Sequence, residues 1–169
     1  MERPAANEDT DCADFLAALD RALPGDAFWE APVLVGVSGG SDSVALLLGL
    51  RALAERRPAA ARVIVVHARH DLRSTAAADA EFVTRLAAGF GFACVCRDLR
   101  VRLPDGVRGE GIEGRARRLR LAFFADAARE HGARHVAVAH TADDQAETIL
   151  HRALRGTGLA GLSGMATAR

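Results

Sequence analysis

Residues 38–43 read Ser38-Gly39-Gly40-Ser41-Asp42-Ser43 and follow directly on the aliphatic run Val33 to Val37. Paired glycines let backbone N–H groups converge on an anion, and a helix starting at this point adds its positive dipole end. The three serine hydroxyls around Asp42 supply further donors. The expected chemistry is the binding of a polyphosphate. A Walker A loop is excluded, because it needs a lysine on the β- and γ-phosphates and all 22 basic residues of this chain are arginine. The glycine spacing also differs from the G-x-G-x-x-G dinucleotide fingerprint. An ordinary strand-to-helix turn capped by Ser41 uses glycine too, but it does not require the whole hexapeptide.

Other residues suited to chemistry carry two readings each. In His140-Thr141-Ala142-Asp143-Asp144, Thr141 and Asp144 suit a helix cap and its partner, with both aspartates offsetting the dipole. Arg117 and Arg120 are three apart and share one helix face, while Arg118 lies off it. They suit either a surface ion pair or the neutralisation of phosphate charge in a transition state. His67 and His70 lack a third ligand of suitable spacing for a metal, and Asp71 suits a turn. Cys94 and Cys96 alternate with apolar residues like one face of a strand, and are expected to be buried thiols. Together with the unpaired Cys12 they suit a reducing compartment.

These residues have to be positioned by something, and the apolar pattern supplies it. Short β-branched runs alternate with stretches of helical spacing, the signature of a parallel α/β sheet with helices on both faces. Strands are expected at 33–37, 62–67, 93–101 and 135–139, and helices at 15–23, 42–55, 77–90, 112–131 and 142–154. Each strand is nearly all apolar, as burial on both faces requires. Beyond Arg155 a glycine-spaced segment, Gly156 to Met165, suits a loop lying close to a ligand. We divide the chain into an acidic segment with a short helix, 1–30, and a nucleotide-binding domain, 31–169.

With 169 residues, half of them apolar, one domain with a real core is expected. No run is long enough to cross a membrane and the acidic start is unlike a signal peptide, so a cytoplasmic location is expected. The formal charge is zero, which excludes a global basic field. Its distribution is uneven: residues 1–30 carry eight acids against two arginines, and residues 97–120 carry eight arginines against four acids. The second stretch is either a solvated face or a phosphate-contacting patch.

The hexapeptide resembles the Ser-Gly-Gly-x-Asp-Ser mark of the pyrophosphate-loop (PP-loop) ATPases, which include NAD, GMP and asparagine synthetases and several tRNA-modifying enzymes. Further segments resemble the tRNA(Ile)-lysidine synthetases. His67 to Arg73 is similar to their His-x-x-His-x-Leu-Arg segment, and Ala116 to Arg120 to their Ala-Arg-x-x-Arg helix. The most specific match is His140 to Thr148, followed by Arg155-Gly156-Thr157-Gly158-Leu159 and Gly161-Leu162-x-Gly164-Met165. Departures are Asp71 where glycine is usual, Leu121 where tyrosine is usual, and an early end at Arg169.

The resemblance implies an adenine-nucleotide α-hydrolase-like fold with strand order 3-2-1-4, truncated at its C-terminal edge. That order puts the phosphate loop and Asp143/Asp144 on opposite sides of one crevice. It implies ATP and Mg²⁺ as cofactors. Residues 38–43, Ala68, Arg120, His140 and Gly156 would bind nucleotide, Asp42, Asp143 and Asp144 the metal, and Asp42, Arg117 and Asp143 would serve catalysis. The implied reaction adenylates C2 of the wobble cytidine of isoleucine tRNA with a CAU anticodon, and free L-lysine then displaces AMP. A homodimer is compatible with the resemblance. Two alternatives stand beside it: another PP-loop enzyme, such as a tRNA thiolase or an amidotransferase-type synthetase, and a non-catalytic nucleotide-binding fragment.

Overall fold

The computed structural model describes residues 8–57, 62–71, 75–102 and 111–140. The chain divides into two units, Met1–Val138 and Ala139–Arg169, and of the second only residues 139 and 140 are described. The expected helix at 142–154 lies outside the described residues.

The first unit runs α1 (Glu8–Ala22), a 3₁₀ turn (Gly25–Trp29), β1 (Val33–Gly36), α2 (Ser41–Glu55), β2 (Val63–His70), α3 (Ala76–Gly89), β3 (Ala93–Leu99), α4 (Ile112–His131) and β4 (His135–Val138). The four strands form one parallel sheet in the order β3-β2-β1-β4. Because successive side chains of a strand face opposite ways, β1 feeds two cores. Val33, Val35 and Val37 pack with Leu47, Leu50 and Leu53 of α2 and Val83 and Ala87 of α3. On the other face Leu34 packs with Ile64, Val66 and Leu99 and with Phe123, Phe124 and Ala127 of α4. The α/β fold with helices on both faces is therefore as expected. Leu16, Phe28 and Trp29 join the first core, and α1 packs on α2, with Phe15 and Leu19 against Gly49.

Gly36 ends β1 where the packing is tightest. A Cβ there would come within 2.9 Å of Val138 Cγ1 and 3.1 Å of Phe124 Cζ. Glycine lets β4 and α4 close over the strand just before the loop. α4 occupies the expected bounds, and Gly132 with φ 65° ends it, its N–H reaching the carbonyls of Ala128 and Arg129.

Three expectations need correction. α1 begins at Glu8 rather than at 15; its first two turns are polar and give no apolar period to read. β2 runs on to His70, three residues past the expected end at His67, because His67, Ala68, Arg69 and His70 pair with Cys96, Arg97, Asp98 and Leu99 of β3. β3 is not buried on both faces: Ala93, Cys96 and Asp98 are exposed and Cys94 is half-buried. Among the described residues no strand lies beyond β3, and an edge strand loses the shelter a neighbour gives. The thiols are thus not a core pair, although burial, and after it the neighbouring Cys96, push the Cys94 thiol up to about 12.

Candidate functional site

The loop between β1 and α2 sits at the carboxyl ends of the parallel strands, the side of such sheets where ligands bind. β1 continues as Val37, whose N–H donates to Val66 O at 3.0 Å. The Val37 carbonyl in turn meets Nδ1 of His67, 4% exposed, at 2.7 Å. As the carbonyl can only accept, Nδ1 carries the proton, and His67 clamps the chain one residue before the loop starts.

Within the loop Gly39 has φ +95°, a conformation that costs a residue bearing Cβ roughly 1–2 kcal/mol. Ser43, 5% exposed, holds the turn from inside. Its hydroxyl donates to Gly40 O at 2.8 Å and accepts the Ser38 N–H at 3.2 Å, with Ser38 Oγ also 3.2 Å away. Ser38 Oγ accepts the Gly40 N–H at 3.3 Å. The three serines, alike in sequence, therefore differ: Ser43 is a latch, whereas Ser38 and Ser41 are exposed. Gly40, not Ser41, is the N-cap of α2, with no side-chain cap.

The first intrahelical bond of α2 runs from Val44 N–H to Gly40 O. The amides of Ser41, Asp42 and Ser43 thus have no intrahelical acceptor and are available to an anion. Asp42 is exposed, one of its oxygens accepting the Ser41 hydroxyl at 3.3 Å. A single carboxylate with a free oxygen beside a phosphate cradle fits Mg²⁺, which takes one or two carboxylates plus phosphate and water ligands.

Ala68 is half-buried in the part of β2 that follows His67. Arg117 and Arg120 are half-buried on α4, beside the apolar stripe of Ala116, Leu119 and Phe123. Among the described residues neither forms an ion pair, unlike Arg97, which bonds Asp126 at 2.8 Å. Burial, and after it the neighbouring Arg117, hold Arg120 below its ordinary value. Two like charges kept together in partial burial favour an anionic partner. His140, exposed, belongs to the second unit. Asp143, Asp144 and Gly156 lie outside the described residues. The structure therefore brings together residues 38–43 with His67, and the sequence reading had not given His67 that clamping role. A histidine ending a run of four buried aliphatic residues was the available signal.

Asp71 has a defined task. Its Oδ1 accepts the N–H of Val101 at 2.8 Å and of Arg102 at 3.3 Å, pinning the chain that leaves β3. Burial opposes the carboxylate, but the amides of Val101 and Arg102, its own amide and the Arg102 charge together outweigh it and hold the group below its ordinary value. A depressed carboxylate contributes stability that is present above its unfolded value of about 3.9 and is lost as pH falls through the folded one. Asp71→Asn should therefore lower the urea midpoint at pH 7 by the equivalent of no more than about 1 kcal/mol, given its exposure. The gap to the wild type should close in titrations below about pH 4; an equal gap at both pH values would rule the carboxylate out.

The family model described as a PP-loop domain matches residues 15–169. The chain is 48% identical over 124 residues to a tRNA(Ile)-lysidine synthase of Deinococcus deserti, covering 73% of this chain and 22% of that protein. It is 40% identical over 147 residues to a tRNA(Ile)-lysidine synthase of Thermus thermophilus, covering 87% and 27%. With that of Bradyrhizobium diazoefficiens the figures are 48% over 140 residues, covering 81% and 37%. The chain thus spans between about a fifth and two fifths of the length of these relatives. Among solved structures, the U34-tRNA thiolase NcsA from Methanococcus maripaludis with its [4Fe-4S] cluster superposes with a TM-score of 0.76 at 15% identity, covering 88% of this chain and 52% of that one. That likeness speaks for the fold alone. The parallel sheet, the phosphate loop at its carboxyl ends and a family match over nearly the whole sequence agree: the chain belongs to the PP-loop domain family.

Proposed function

We propose that this chain is the ATP-splitting part of a tRNA(Ile)-lysidine synthase. The observation that carries the reading is the loop itself, latched by Ser43 and turned at Gly39 so that three amides at the head of α2 are left for phosphate oxygens. The identity to lysidine synthases narrows the substrate. In this reading the backbone of residues 38–43, with the exposed hydroxyls of Ser38 and Ser41, holds the β- and γ-phosphates of ATP. The C2 oxygen of the wobble cytidine of a CAU-anticodon isoleucine tRNA attacks the α-phosphorus, and pyrophosphate leaves. The amine of free lysine then displaces AMP at C2. Arg117 and Arg120 offset the charge that builds on the phosphates, Ala68, His140 and Gly156 line the nucleotide, and Asp42, Asp143 and Asp144 hold Mg²⁺. When bound, that ion supplies positive charge against the leaving pyrophosphate. The chemistry belongs in the cytoplasm, where ATP, lysine and tRNA meet.

The test is incubation of the chain with ATP, Mg²⁺, labelled lysine and an isoleucine tRNA transcript. Label in the tRNA, with AMP and pyrophosphate in equal amounts, is the expected result. ATP binding without label in the tRNA would leave a nucleotide-binding part that needs further residues. In a parallel incubation with sulfide added, sulfur entering the tRNA in place of labelled lysine would move the chain to the thiolases.

A further inference from the structure

We propose that Cys94 and Cys96 form a chelating two-thiolate site for a soft, thiophilic cation of the copper(I) class. The pair lies outside the phosphate loop and has no part in the reaction above. Strand alternation puts both side chains on one face of β3, with their sulfurs 3.7 Å apart. Cys94 is half-buried and Cys96 exposed, so the pair has a protein wall on one side and an entrance on the other. The entrance is an open cleft of about 440 Å³ against α3, lined by Cys96, Thr84, Ala80 and Asp98 among others. The Thr84 hydroxyl, which donates to the Ala80 carbonyl at 2.8 Å, lies 3.6 Å from Cys96 Sγ.

The separation decides which chemistry the pair suits. Two thiolates on one three-coordinate ion, with bonds of about 2.3 Å at about 120°, lie about 4.0 Å apart, which the pair meets with a shift of about 0.3 Å. A disulfide needs about 2.05 Å between the sulfurs. Residues i and i+2 of an extended strand are also about 6.7 Å apart at Cα, at the upper end of the range a disulfide spans. Closing it would kink β3 at the residues paired with Val65 and His67, and so would disturb the clamp on Val37. Chelation leaves the ladder intact.

Ligand number then selects the ion. Among the described residues no group of three His, Cys, Asp or Glu side chains converges for a metal. The nearby carboxylates are engaged, Asp98 by Arg69 and Glu81 by Arg85. Structural zinc requires four protein ligands, whereas copper(I) prefers thiolates and is satisfied by three, here the pair and a small thiol that the open cleft admits.

The reduced full chain, titrated anaerobically with copper(I) against a chromophoric competitor, should take up one equivalent. Cys12→Ser should bind as the wild type does. Cys94→Ser, Cys94→Ala and Cys96→Ser should each bind about a hundredfold or more weakly, since the second bond is then no longer intramolecular. Phenylarsine oxide, which condenses with two adjacent thiols and releases water, should add once to the wild type and not to the single variants. Equal copper affinity in wild type and single variants, or zinc binding as tight as copper(I), would overturn the proposal.

Discussion

Replacing Phe123 by alanine should cost about 3–5 kcal/mol, the range for removing a large aromatic from a well-packed core. The ring is 1% exposed and is enclosed by Leu34, Ile64, Val66, Leu99 and Val101 with Phe124. Phe124 lies at a ring-centroid distance of 5.7 Å, and the Arg97 guanidinium stacks 4.8 Å from the Phe123 centroid. Burial dominates: a cation over a ring at the half-exposed Arg97 contributes only about 0.5–1 kcal/mol. Against a total stability of about 5–15 kcal/mol the loss is large. It should lower the thermal midpoint by roughly 6–20 °C for a domain of this size. Phe123→Leu keeps most of the volume and should cost less than about 1.5 kcal/mol. Leu121→Ala, two residues away and exposed, should stay within about 0.5 kcal/mol. A Phe123→Ala midpoint equal to that of Leu121→Ala would mean that α4 does not cover this face of the sheet.

The same helix shows what the sequence could and could not tell. Its bounds were legible because Gly111 and Gly132 bracket a single apolar stripe. The aliphatic parts of β1 and β2 were legible because continuous β-branched runs have few other folded uses. The end of β2 was not, since His67 to His70 hold strand form through pairing with β3 rather than through their own pattern. Nor was the exposure of β3: an edge position depends on strand order, which a strand's own residues do not encode. At the site, the hexapeptide announced a phosphate loop, but not which serine would turn inward. Ser43 is the latch because it lies one turn into α2, where its hydroxyl faces back to Gly40 and Ser38. His67 reaches Val37 only after β1 and β2 pair. Both roles are tertiary, created when strands far apart in sequence meet.

Asp42→Ala should separate the site's chemistry from its stability. The side chain is exposed and among the described residues bonds only the neighbouring Ser41 hydroxyl, so its loss removes little packing. What the fold loses is an acid in the first turn of α2, worth about 0.3–1 kcal/mol. If Asp42 holds Mg²⁺ beside the phosphates, the cost to turnover is of another order. Loss of one group that stabilises developing charge typically slows a reaction about 10²–10³-fold, or about 2.7–4 kcal/mol. On the proposed function, ATP–pyrophosphate exchange driven by isoleucine tRNA should therefore fall by that factor while the urea midpoint barely moves. A binding measurement gives the same answer without tRNA: Mg²⁺ should tighten ATP binding in the wild type, and that increment should vanish in Asp42→Ala and Asp42→Asn alike. The asparagine variant keeps the size and the hydrogen bond to Ser41 and loses only the charge. Exchange at the wild-type rate in both, with the Mg²⁺ increment intact, would take Asp42 out of the site and leave the α2 amides as its phosphate-binding groups.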